Sequence, residues 1–312
     1  HPYLGVIQDA VRMREIFAAE RPEIILHAAA LKHVPLSEIN PIEAVNTNVG
    51  GTNNIISLAT EFGTDSFTLI STDKAVSPSN IMGATKRIAE MATLAAATQS
   101  PILSACAVRF GNVLASTGSV VPLFEEQIRR GGPVTVTHKD ATRFFMTTEE
   151  AAALVLQASA LSAMQRKEMA AVYVLDMGEP VNITQLARQL IRLRGYVPDR
   201  DINISFTGLR AGEKLTETLT GISEELASTY VDGVMRFTGH VVDPLSIKRR
   251  ITRLLKAAQE RDTDALREAL SKLLPDYKPN GVLMRPTLTR QAKHNNAAST
   301  RNGATIIPLK PK

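Results

Sequence analysis

A single cysteine, Cys106, rules out any disulfide within this chain of 312 residues and suits a reducing compartment. Neither it nor the six histidines fall at zinc-ligand spacing, so no structural metal is expected. No apolar run approaches the roughly 18 to 20 residues that span a bilayer. The opening His-Pro-Tyr-Leu-Gly lacks the pattern of a signal peptide, and no internal repeat is visible. Seven of the 36 basic residues and no acids fall in residues 278–312, leaving 29 basic against 31 acidic residues in 1–277. The formal charge of +5 is thus a property of the tail. A folded part that is slightly acidic argues against a nucleic-acid partner. Residues 278–312 are expected to form a basic, disordered, solvated tail, with a membrane-surface or partner-binding arm as the alternative.

What is present is apolar material amounting to 44% of residues, enough for a sizeable core. The spacing of Val11, Ile16 and Phe17 predicts a helix over Asp9 to Glu20, stopped by Arg21-Pro22 before an apolar strand, Ile24 to Leu26. That strand runs into His27-Ala28-Ala29-Ala30. Small residues at a strand's carboxyl end let a dinucleotide lie against the backbone, a plain strand-to-helix turn being the other reading. Asn40-Pro41 opens a helix carrying Asn46, Asn48 and Gly51-Thr52-Asn53. A second strand, Phe67 to Ile70, ends in Ser71-Thr72-Asp73-Lys74 and gathers four polar or charged groups where open α/β sheets face their ligand crevice. Ser77 and Pro78 read as N-cap and first residue of a helix running through Met82 and Lys86 to about Thr98. Met82 and Lys86 are four residues apart and share a face.

A third strand, Ile102 to Val108, leads into Arg109-Phe110-Gly111-Asn112. Strands alternating with helices of this length predict a doubly wound parallel sheet with right-handed crossovers. Further on we expect a helix from about Gly118 to Arg130, a strand at Val134 to Thr137, an Ala-rich helix over 148–162 and a strand at Val172 to Leu175. A helix at Ile183 to Arg194, a strand at Ile202 to Phe206 and a helical end over Pro244 to Leu274 complete the described pattern. We divide the chain into a partial dinucleotide-binding domain, 1–170, and a region of substrate-binding lobe and carboxyl-terminal helices, 171–277. The lobes are expected to interleave from about residue 112, and the tail follows.

A Ser/Thr strand end followed by x-x-x-Lys on the next helix resembles the active site of the extended short-chain dehydrogenase/reductase superfamily, with Met82 where a tyrosine is usual. Taken with Thr72-Asp73-Lys74 and with His27 to Pro35, His-Ala-Ala-Ala-Leu-Lys-His-Val-Pro, it resembles the bacterial polysaccharide-biosynthesis branch of nucleotide-sugar 4,6-dehydratases over roughly residues 1 to 275. The resemblance implies a Rossmann-like sheet with a smaller α+β substrate-binding lobe, tightly bound NAD or NADP, a UDP-sugar substrate and a homo-oligomer. It also implies a cytoplasmic location, at the inner membrane's cytoplasmic face where a membrane anchor precedes the domain, as in the larger members with methionine.

The reaction so implied oxidises C4 of a sugar, removes the C5 proton with the C6 hydroxyl, and returns hydride to C6. The C5 proton becomes acidic only beside a C4 ketone. A neutral amine can then remove it, and a protonated carboxyl can release the C6 hydroxyl as water. The resemblance gives the first role to Lys74 and the second to Asp73. Lys86 would bridge the nicotinamide ribose hydroxyls, and His27, Ala28, Ala29, Asn48 and Ser71 would complete the cofactor site. Met82 cannot take the C4 hydroxyl proton, which leaves Thr72 and Asp73 for that task. Lys32, Asn112, Arg143 and Arg210 fit the anionic nucleotide sugar. Glu213 and Lys214 are expected to fix their own loop, and His33 and His138 to be structural. The plain alternatives are a surface ion pair for Asp73 and Lys74 and a solvated helix lysine for Lys86.

A dinucleotide site opens with a strand, Gly-x-x-Gly-x-x-Gly and a helix. This chain has none of that, and Gly5-Val6-Ile7-Gln8-Asp9 stands where the family carries Gly-Asp-x-Arg-Asp after its third strand. We expect an amino-terminally truncated member, lacking the first strands, with a degenerate relative as the alternative. Three functions compete: a UDP-N-acetylglucosamine-type 4,6-dehydratase for surface glycans, a nucleotide-sugar 4-epimerase, and a non-catalytic nucleotide-sugar-binding module. Epimerisation needs no C5 base, so Asp73-Lys74 separates the first two.

Overall fold

The computed structural model describes residues 1–100, 102–114, 116, 118–165, 170–221, 224–237 and 243–279. The tail predicted as disordered lies outside them beyond Pro279. Helix α1, Ala10–Glu20, starts where the Asp9 carboxylate accepts from the Arg12 N–H and stops at Arg21 in the left-handed region, φ 47°. Strand β1, Ile24–His27, leads through α2, Val34–Ile39, and α3, Pro41–Val45, into a π-helical segment, Asn46–Gly51, and α4, Thr52–Glu61. Strand β2, Ser66–Ile70, is followed by a 3-10 turn, Asp73–Ala75, and by α5, Ile81–Gln99. Strands β3, Ser104–Arg109, and β4, Asn112–Val113, precede α6, Val120–Arg129. Three short strands, β5 Val134–Val136, β6 Thr142–Arg143 and β7 Phe145–Met146, come before α7, Thr148–Met164. The Thr147 and Glu150 side chains close a reciprocal capping box on α7. Then follow β8 Ala171–Leu175, β9 Val181–Asn182, α8 Ile183–Leu193, β10 Ile204–Phe206, β11 Leu226–Ser228, β12 Val234–Phe237, α9 Pro244–Gln259 and α10 Thr263–Leu273.

The main sheet has the order β1-β2-β3-β8-β12-β11. Its first four strands are parallel, with Leu26 opposite Thr68 and Thr68 opposite Cys106, whereas β12 and β11 add antiparallel. The doubly wound sheet expected from the alternation is therefore present, with a hairpin on the far edge that the sequence reading did not separate. At the near edge β1 is the outermost strand of this sheet, and Ile24 and Leu26 are 65% and 46% exposed. Such an edge offers its backbone to further strands. No described helix is long and apolar enough to cross a membrane.

Helix α5 begins at Ile81, three residues after the expected Pro78, because Asn80 is the N-cap and its Oδ1 accepts from the Gly83 N–H at 2.7 Å. Ser77, expected as the N-cap, instead takes φ 38°, in the left-handed region. The packing crosses residue 170. Strands β8 and β12 lie in the main sheet, and Ile247, Ile251, Leu254, Leu266 and Leu270 of the α9–α10 hairpin join the core formed with α3 to α5. The smaller lobe has its own core of Phe124, Ile128, Val134, Val136, Ala187, Ile191 and Ile202, drawn from both sides of that boundary.

Candidate active site

The carboxyl ends of β1, β2 and β3 open onto one cavity of about 460 Å³, closed from the other side by α6, β5 and the loop bearing Arg210 and Glu213. Of the residues expected there, Ala28, Lys32, Ser71, Thr72, Lys74, Met82, Lys86, Asn112, Arg143 and Arg210 line it. Asp73, His27, Ala29 and Asn48 are not on its wall.

Asp73 has no exposed surface, since its N–H donates to Phe110 O at 3.0 Å and the 3-10 turn carries the side chain inward. Its Oδ1 accepts from Thr72 Oγ1 at 2.8 Å and from Lys74 Nζ at 3.0 Å, and its Oδ2 is buried without a hydrogen bond. Lys74 Nζ also donates to Asn112 Oδ1 at 3.2 Å. Lys74 and Thr72 thus stand between Asp73 and the cavity, and the expected direct contact of Asp73 with a sugar becomes an indirect one. A proton received at Lys74 can reach Asp73, and one on Asp73 can reach the cavity through the Thr72 hydroxyl.

This turn lies hard against the start of α5. A β-carbon added at Gly83 would sit 2.1 Å from the Lys74 carbonyl oxygen, which only a backbone shift could relieve. Gly83→Ala should therefore destabilise the fold by about 1–3 kcal/mol, as overpacking does. Denaturant titration measures this, and an unchanged midpoint would show that the turn is not held by that contact.

Lys86 lies one turn beyond Met82, and its Nζ donates to the Ile70 carbonyl. Burial pulls its pKa down to about 8, against the opposing pull of the Glu90 carboxylate. His27 is drawn down to about 4, first by burial and then by the Lys86 charge. Its Nε2 shares a 2.9 Å hydrogen bond with Thr52 Oγ1 and its ring packs 5.8 Å from Phe67, so the imidazole is a neutral part of the core. Because this folded-state pKa is depressed, the unfolded chain binds more protons between the ordinary value near 6.5 and about 4. The contribution is fully present above that window and lost as pH falls through it, by an amount of about 3 kcal/mol. Chemical denaturation across the window should show the loss in the wild type and a shallower one in His27→Gln. Equal slopes would remove His27 as the cause.

Asn48 acts at one remove. The π-helical segment turns its amide inward, where Oδ1 accepts from Leu31 N at 2.7 Å and Nδ2 donates to Leu31 O at 3.0 Å and Thr85 Oγ1 at 3.0 Å. It ties the loop after β1 to the helix of Met82 and Lys86 without touching the cavity.

The charge network behind Ser71 and the place of His33 escaped the sequence reading. Behind Ser71, Glu90 and Arg109 have 0% exposure and form a fork-to-fork pair at 2.8 Å, to which Glu224 and Arg87 add. Ser71 Oγ donates to Glu90 at 2.5 Å. Burial alone would raise the Glu90 pKa, but Arg109 holds it down at about 2. Glu213 lines the cavity and accepts from Arg143, Thr137 and the Arg210 N–H. Arg143 in turn donates from Nη1 to Thr142 O and Leu215 O and from Nη2 to Lys214 O and Glu213, so these hydrogen bonds brace this loop. His33, expected to be structural, lies on the cavity wall, where Gly118 leaves space for its ring. Among the described residues, no group of three or more His, Cys, Asp or Glu could hold a metal.

A parallel sheet whose second strand ends in Ser71-Thr72, with Lys86 on the next helix facing the same crevice, defines a Rossmann-like short-chain dehydrogenase/reductase. Within that class, sequence comparison matches residues 1–238 to the family described as polysaccharide biosynthesis protein. The chain belongs to that family. It is 52% identical over 223 residues to the capsular polysaccharide biosynthesis protein CapD of Staphylococcus aureus, covering 72% of this chain and 36% of that protein. It is 50% identical over 224 residues to the probable polysaccharide biosynthesis protein EpsC of Bacillus subtilis, with the same coverage. The chain thus spans 36% of the length of each of these two curated relatives. A UDP-glucose 4-epimerase of Rickettsia canadensis is 36% identical over 227 residues, 72% of this chain and 63% of the epimerase. Among solved structures, Pen from Bacillus thuringiensis superposes with a TM-score of 0.68 at 31% identity, over 78% of this chain and 74% of that one.

Proposed function

We propose that the chain is the catalytic region of a nucleotide-sugar 4,6-dehydratase acting on UDP-N-acetylglucosamine, forming a 4-keto-6-deoxy sugar for surface glycans. The observation that carries this reading is the Thr72–Asp73–Lys74 cluster, with a lysine amine on the cavity wall hydrogen-bonded to a buried carboxylate. A 4-epimerase has no use for a base at C5. The similarity to the Rickettsia epimerase is what favours that second reading.

The cavity wall suits a dinucleotide at its nicotinamide ribose end. Ala28 leaves room there, Ser71 presents a hydroxyl, and Lys86 presents an amine that acquires a proton below about pH 8 and can then hold ribose hydroxyls. When bound, NAD supplies an acceptor and donor of hydride. On the chain's side, Lys74 takes the C5 proton and Asn112 orients its amine. Thr72, in place of the tyrosine that Met82 replaces, passes the C4 hydroxyl proton to the Asp73 carboxylate, which returns it through Thr72 to the departing C6 hydroxyl. The sugar's diphosphate is met by Lys32, Arg210 and the start of α6. There Ser119 and Val120 line the cavity, and the helix end favours an anion.

The test is a chimera in which this chain replaces its matched segment in the Staphylococcus aureus relative, incubated with UDP-N-acetylglucosamine and NAD⁺ in D₂O. A product lacking one water and carrying deuterium at C5 supports the dehydratase. A C4 epimer that keeps all its oxygens would sink it in favour of the epimerase, and no turnover with intact UDP binding would leave a binding module.

A further inference from the structure

We infer that Lys214 is a positioning residue that couples nucleotide recognition to the turn bearing Lys74. The inference rests on the nucleotide-sugar reading above and goes beyond the expectation that Lys214 only fixes its own loop.

The loop that presents Arg210 and Glu213 to the cavity is fastened to the 73–80 segment at two points. The first is Gly212, whose carbonyl accepts from Asn80 Nδ2 at 2.9 Å and from Ser79 Oγ at 3.2 Å. Gly212 has φ 81°, and a β-carbon there would stand 2.7 Å from Asn80 Cβ, so the backbones meet as closely as glycine allows. The second is Lys214, whose Nζ donates to the Val76 carbonyl at 2.9 Å. Val76 closes the 3-10 turn by donating its N–H to Asp73 O at 3.0 Å, so Lys214 holds the residue that ends the turn of Asp73 and Lys74.

Lys214 is itself held. Glu217, 4% exposed, places Oε2 at 3.7 Å from Nζ, and that oxygen has no hydrogen bond of its own. A buried carboxylate kept this close to an ammonium fixes where the ammonium can go. Lys214 is absent from the cavity wall, so it contacts neither nucleotide nor sugar there and acts only through the turn. A nucleotide that orders Arg210 and Glu213 at one end of this loop thereby orders Lys74 at the other. Displacing a catalytic group by about 1 Å can cost roughly 10²-fold in rate, which sets the scale of what the link can control.

Hydrogen exchange of the 312-residue chain with and without UDP reads the coupling directly. UDP is expected to slow exchange over both residues 210–217 and residues 73–76. In Lys214→Met the first protection stays and the second disappears, and Lys214→Arg, which keeps a donor within reach of Val76, restores it. In the chimera, Lys214→Met should lower kcat by about 10- to 100-fold with the dissociation constant for UDP unchanged. Protection of 73–76 that survives in Lys214→Met would overturn the inference and leave the proposed function standing. So would a parallel loss of UDP affinity and melting temperature, which marks a merely structural role. Absence of any UDP protection in the wild type would overturn the nucleotide-site reading, and this inference with it.

Discussion

Arg109→Met is expected to destabilise the fold by roughly 3–5 kcal/mol, the cost of leaving a buried ion without its partner. Arg109 is 0% exposed and serves two carboxylates at once. Nε and Nη2 donate to Glu90 at 2.8 Å each, while Nη1 and Nη2 donate to Glu224 at 2.8 and 3.2 Å. Methionine matches much of its volume but leaves Glu90, also 0% exposed, with only Arg87 and Ser71. With a stability of about 5–15 kcal/mol for a typical domain, a loss on this scale leaves a marginal protein. Acid should act through the same group. The folded Glu90 carboxyl is held at about 2, so its contribution is present above the ordinary carboxylate value of 4.5 and lost as pH falls through that interval. Urea unfolding of wild type and Arg109→Met measures both. A difference below about 1 kcal/mol would show that the network is no better than a solvated ion pair.

Lys74→Met in the chimera should abolish deuterium incorporation at C5 and lower dehydration by about 10² to 10⁴-fold, the usual share of a general base, with UDP affinity nearly unchanged. Lys74 lines the cavity with 16% of its side chain exposed, and the two hydrogen bonds of its Nζ, to Asp73 and Asn112, hold the amine in place. Methionine keeps the length and removes the basic nitrogen. Asp73→Asn keeps the shape of the cluster while removing its proton store, so it should slow loss of the C6 hydroxyl and leave C5 exchange the less affected of the two. Exchange at the wild-type rate in Lys74→Met would place the base elsewhere.

How far the sequence could be read depended on how local each feature is. The strands at Ile24, Phe67 and Val172 and their helices were legible because period and punctuation are carried within a few residues. So was the meeting of Thr72, Lys74, Met82 and Lys86 at one crevice, since strand ends and helical spacing fix it. The late start of α5 was not, because Asn80 is selected as cap by contacts with Gly212, far along the chain. The inward turn of Asp73 depends on Phe110, and the Glu90–Arg109–Glu224 network joins α5, β3 and a loop more than 100 residues later. Charged residues at 90 and 109 carry no local sign that they will be buried. The π-helical segment at Asn46–Gly51 was equally silent, though it decides that Asn48 braces the site from behind the wall.

The unit of kinship and the unit of folding end at different places in this chain. The family match stops at residue 238, yet the α9–α10 hairpin, Pro244 to Leu273, sends Ile247, Ile251, Leu254, Leu266 and Leu270 into the main core, each at most 4% exposed. Gly50 admits Leu255 to within 3.3 Å of where a side chain would begin, and beyond the hairpin the Lys278 N–H reaches the Pro78 carbonyl ahead of α5. Anyone who trims the gene to the homologous region would cut through the hydrophobic interior. The flank of α5 would be laid bare, and the product would be sticky for reasons that have nothing to do with its chemistry.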